Sequence, residues 1–156
     1  MPPAASTSYR LTTLWQFEAP LAPVWEAIVL AEAWPTWWPG IESVVTLAPG
    51  DAHGLGARRL WRCKSALPYR LSFTTCVTRI EPLRRIEGQV EGELEGRGCC
   101  RLWTEGGLTQ VRHDWQVRTT PLWMNLLAPL TRPLFRWNHD ALMRAGGRGL
   151  ARRLRA

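Results

Sequence analysis

Lysine is all but missing from this chain of 156 residues: Lys64 stands alone, and arginine carries nearly all the positive charge behind a net +7. The arginines are also dispersed. Arg58 and Arg59, Arg84 and Arg85, Arg112, Arg118 and Arg144 fall in different predicted elements, and only Arg148, Arg152, Arg153 and Arg155 gather locally. That spread lacks the single basic stripe with which a protein tracks a phosphate backbone, so nucleic acid is not an expected partner. No apolar run approaches the roughly 20 residues that span a bilayer, which argues against stable membrane insertion. The first eight residues, MPPAASTS, have neither the positive nor the apolar stretch of a signal peptide. A flexible leader over 1–8 and a cytoplasmic location are the expectations.

Paired cysteine motifs are missing as well. Cys63, Cys76, Cys99 and Cys100 have no zinc-site spacing, and the adjacent Cys99 and Cys100 would point to opposite faces of a strand. Free thiols are expected, with no metal and no cofactor. Catalytic signatures are equally scarce. There is no G-x-S-x-G elbow, Walker loop or H-E-x-x-H. Histidine is limited to His53, His113 and His139.

What the chain has in quantity is tryptophan, ten residues, within 46% hydrophobic and 21% charged content. These proportions suit a folded globular protein, and the length suits one domain, 9–156, with a buried core. Tyr9 to Glu18 sets Leu11, Thr13, Trp15 and Phe17 against Arg10, Thr12, Gln16 and Glu18, the alternation of a half-buried strand. Pro20 suits the start of a helix, and Leu21, Val24, Trp25 and Ile28 recur at helical spacing. Pro35 and Pro39 predict a broken second helix over Ala31 to Trp38. Then come five further candidate strands: Ile41–Leu47, Ala57–Ser65, Tyr69–Ile80, Arg84–Val90 and Gly96–Thr104. A last one, Leu108–Thr119, carries Thr109, Val111, His113, Trp115 and Val117 on one face. With no helix between them, they predict a meandering antiparallel sheet. Pro129 and Pro133 break the apolar stretch after Pro121, and one long helix is predicted from Leu134 to about Leu154. Its face Phe135, Asn138, His139, Leu142, Gly146 and Leu150 would turn inward. Gly146, Gly147 and Gly149 indicate either close backbone approach or a helix that weakens there.

Strand, two helices, six strands and a long helix is a helix-grip order. Trp34-Pro-Thr-Trp-Trp-Pro-Gly-Ile41, Leu67-Pro-Tyr-Arg-Leu71 and Arg136-Trp-Asn-His-Asp-Ala-Leu-Met143 resemble ligand-binding members of the START and polyketide-cyclase superfamily. The resemblance covers nearly the whole chain. It implies an α+β fold: a curved antiparallel sheet wrapped around a long C-terminal helix, with two short helices after the first strand and a cavity between sheet and helix.

A hydrophobic small molecule is therefore the expected partner, lipid- or polyketide-like, bound or transported in that cavity. Trp15, Trp61, Tyr69, Phe73, Trp115, Phe135 and Leu142 are the candidate apolar lining. His113, Asn138 and His139 are the candidate polar groups that orient the ligand. The alternative is a polyketide cyclase, aromatase or dehydratase. It needs a general acid or base, for which His113 and His139 are the candidates, with Arg59 or Tyr69 to hold an oxyanion. The oligomeric state is not legible from the sequence.

Overall fold

Period-two strands and one long helix are what the chain forms in the computed structural model, which describes residues 8–64 and 70–155. Strand β1 (Ser8–Phe17) leads into helix α1 (Leu21–Val29) and a 3-10 turn (Ala31–Thr36). Six strands follow: β2 (Ile41–Ala48), β3 (Arg58–Lys64), β4 (Arg70–Glu81), β5 (Arg85–Gly92), β6 (Leu94–Glu105) and β7 (Leu108–Thr119). Helices α2 (Leu122–Leu126) and α3 (Ala128–Arg155) complete the described chain. Residues 1–7, most of the expected leader, and Tyr69 lie outside the described residues.

The strands pair antiparallel in the order β1-β7-β6-β5-β4-β3-β2, a meander closed at one edge by the return of β1 onto β7. Register places Leu11 opposite Trp115, Thr13 opposite His113 and Trp15 opposite Val111. Because strand side chains alternate between faces, Leu11, Trp15 and Phe17 fill the concave face while Arg10, Thr12 and Leu14 face outward. The curved sheet wraps around α3, as the helix-grip order requires. Among the described residues no helix is long and apolar enough to cross a membrane.

The predicted break at Pro133 does not occur. Helix α3 begins at Ala128 and runs through Pro133. Pro129 is tolerated because N–H groups in a first turn have no intrahelical acceptor. Pro133 removes one intrahelical bond, and tertiary packing offsets that loss. Phe135 packs on Tyr9 with ring centroids 4.3 Å apart, and the Arg132 and Arg136 guanidinium carbons lie 5.6 and 5.7 Å from the Tyr9 ring centroid.

Farther along α3, two indoles dock on its backbone. Trp15 Nε1 donates to the Met143 carbonyl at 3.0 Å and Trp38 Nε1 donates to the Leu142 carbonyl at 2.9 Å. Gly146 lies against the Trp38 ring, Gly147 against Trp15, and Gly149 against the Trp37 carbonyl. The glycines therefore mark close approach, not a weakened helix.

Candidate functional site

Between the concave face and α3 lies a cavity of about 150 Å³. Its walls follow from the two periodicities. Alternation on β3, β4 and β7 turns Trp61, Phe73, His113 and Trp115 inward, and helical spacing on α3 brings Phe135, Asn138, His139 and Leu142 opposite them. Eight of the residues expected to line a pocket thus converge on one space. Trp15 does not line it. It sits behind His113, ring centroids 4.3 Å apart, and is committed to the Met143 carbonyl.

Several residues beyond the expected lining also face the cavity. Leu71 and Thr75 share the Phe73 face of β4, and Val117 shares the His113 face of β7, so strict alternation contained the signal for all three. Trp34 and Trp38 come from the Trp-Pro cluster. Met143, four residues after His139, follows the same helical spacing, whereas Leu94 had no comparable signal.

The wall is largely aromatic. Trp61 stacks over Phe73 with an interplanar angle of 11°, and its Nε1 donates to Thr75 Oγ1 at 2.8 Å. Polar groups are few. Asn138 and His113 are 7% and 5% exposed. The Nε2 atoms of His113 and His139 are both buried without a hydrogen-bond partner. Such atoms are costly to leave unpaired, and a ligand group can satisfy them.

Burial also fixes their charge. Desolvation pushes His113 down to about 3, with His139 nearby adding to the effect and Asp114 opposing it. Desolvation takes His139 down to about 4 against the pull of Asp140. Both imidazoles are neutral at pH 7, each with one donor and one acceptor nitrogen. Burial pushes the Cys63 thiol up to about 12, with Glu42 contributing, so it behaves as an apolar wall group. No carboxylate lines the cavity among the described residues, and its one charged side chain is the exposed Lys64.

A second cavity of about 160 Å³ adjoins the first, sharing Trp34, Trp61, His113 and Trp115 and reaching towards Ile28, Ile86 and Val90. Arg59 lines this second space, with its Nε 2.7 Å from Glu32 Oε1. A guanidinium so engaged is poorly placed to hold an oxyanion. All four cysteines are free, and the described residues contain no His, Cys, Asp and Glu cluster suited to a metal ion.

The sequence profile of the family described as polyketide cyclase / dehydrase and lipid transport matches residues 17–145. No curated protein matches by sequence. Among solved structures, a START superfamily protein from Mycobacterium smegmatis superposes with a TM-score of 0.73 at 14% identity, over 94% of this chain and 97% of that one. The Zhui aromatase/cyclase from a Streptomyces species gives 0.65 at 18% identity, over 94% and 90%. The di-domain ARO/CYC BexL gives 0.75 at 16% identity, over 99% of this chain and 52% of BexL, so this chain spans about half of that protein. Likeness at these identities establishes the fold.

Proposed function

The chain belongs to the polyketide cyclase / dehydrase and lipid transport family, and from that membership we propose that it binds an apolar, lipid- or polyketide-like molecule between the sheet and α3, as a carrier or binding protein. The observation that carries this reading is the composition of the cavity wall. Trp61, Phe73, Trp115, Phe135 and Leu142 supply apolar contact area, while Asn138 and two neutral imidazoles supply the few hydrogen bonds that orient a ligand. Acid–base chemistry is poorly served there. A general acid or base works best with a pKa near the operating pH, and burial holds His113 and His139 near 3 and 4.

A cyclase is the second reading, favoured by one observation. The unpartnered Nε2 atoms of His113 and His139 are well suited to meet the oxygens of a poly-β-keto chain. Denaturing mass spectrometry of the purified protein, followed by incubation with any polyketone it retains, separates the two. A carrier releases its ligand unaltered. Conversion by the wild type, lost in His113→Ala or His139→Ala while binding persists, establishes the cyclase instead.

A further inference from the structure

About half of the exposed large apolar residues among the described ones lie together on α2 and the first turns of α3, away from the cavity. Leu122, Leu126 and Leu127 on and just after α2, then Leu130, Leu134 and Trp137 on α3, are all about half exposed or more, with Leu126 at 65% and Leu130 at 69%. Leu130, Leu134 and Trp137 fall on one helix face, turned away from Phe135, Asn138 and Leu142, which line the cavity. The same face continues with Arg144, Arg148, Arg152 and Arg155, all exposed. Stepping by 100° per residue, these seven positions lie within an arc of roughly 80°. No acidic residue occurs between Asp114 and Asp140.

We propose that α2 and the outer face of α3 form a docking surface for an anionic lipid bilayer, reversible and lying in the interface. An apolar segment carrying Leu and Trp suits the acyl and headgroup boundary, and a row of arginines beside it suits anionic headgroups. Helical periodicity sets Leu130, Leu134 and Trp137 in line with the four arginines along one side of α3. A second copy of the chain is the poorer occupant, because the segment from Leu122 to Arg155 offers a single carboxylate, Asp140, against seven arginines. The surface lies on the back of the helix that closes the cavity, so a docked protein would present its ligand site close to lipid. The proposal does not depend on what the cavity holds.

Co-sedimentation with vesicles of phosphatidylcholine alone, and of phosphatidylcholine mixed with phosphatidylglycerol, tests it. The wild type should sediment with the mixed vesicles and far less with phosphatidylcholine, and added salt should weaken binding. Leu130→Gln/Trp137→Gln and Arg148→Glu/Arg152→Glu should each lower affinity about tenfold or more. Both pairs are exposed and replaced by good helix formers, and unchanged near-UV circular dichroism verifies their fold. Arg10→Glu/Arg62→Glu makes the same charge change on the outer face of the sheet and should bind like the wild type. Absence of binding to the mixed vesicles overturns the proposal. So does wild-type affinity in either helix variant, or an equal loss in the sheet variant, which would mark non-specific charge attraction. A wild-type dimer that becomes monomeric with Leu130→Gln/Trp137→Gln would assign the surface to self-association instead.

Discussion

Gly149 of α3 touches the backbone of Trp37 so closely that a Cβ there would overlap the Trp37 carbonyl oxygen. The contact ties the far end of the long helix to the Trp-Pro turn that follows the 3-10 segment. Backbone on both sides leaves little room to yield, whereas the neighbours of Gly146 and Gly147 are indole rings. Gly149→Ala should therefore destabilise the protein by about 2 kcal/mol or more, despite alanine's better helix propensity. Urea unfolding checks this, and an unchanged or raised midpoint would contradict the close packing.

The Trp38 indole both lines the cavity and anchors α3 through its hydrogen bond to the Leu142 carbonyl. Trp38→Phe keeps an aromatic ring and removes the donor. Loss of that bond should lower stability by about 1–2 kcal/mol and loosen the part of α3 that carries Leu142. Amide hydrogen exchange along the helix should rise in the variant, most strongly around residues 142–147.

Much of this was legible in the sequence, for physical reasons that differ between elements. Thr109, Val111, His113, Trp115 and Val117 mark the inner face of β7 because a strand has one period and this one has one wet side. Phe135, Asn138, His139 and Leu142 were legible by the same logic on a helix. Depth along a strand is not encoded by alternation. Trp15 shares a face with Leu11, yet Leu11 lines the cavity and Trp15 is spent on the Met143 carbonyl. The start of α3 was misplaced because proline penalties are local, while the packing of Phe135 on Tyr9 that overrides them joins residues far apart in the chain. The glycines of α3 could not be interpreted alone, since their meaning lies in Trp15, Trp37 and Trp38.

The buried imidazoles give a pH dependence with a definite sign. In the unfolded chain they titrate near 6.5, and in the folded state His113 and His139 are held near 3 and 4. Below 6.5 the unfolded state binds more protons, so stability is fully present above that pH and is lost as pH falls towards 4 for His139 and towards 3 for His113. Each group contributes a slope of up to about 1.4 kcal/mol per pH unit within its window. Urea midpoints between pH 7 and pH 5 should fall steadily, and less steeply in His113→Gln. A midpoint flat across this range would mean that the imidazoles protonate freely in the fold.

Displacement of a fluorescent fatty acid from the wild type, Asn138→Ala and Leu142→Arg is the most direct measure of whether the cavity between the sheet and α3 holds an apolar ligand. Burial should supply most of the affinity, at about 25 cal/mol per Å² of apolar surface. Asn138→Ala should then cost about 0.5–1.5 kcal/mol, the net worth of one hydrogen bond. Leu142→Arg should abolish binding while the fold persists, because a guanidinium in the cavity would have to be desolvated or would fill the space itself. Absence of saturable binding to the wild type, or equal binding by Leu142→Arg, would contradict the account.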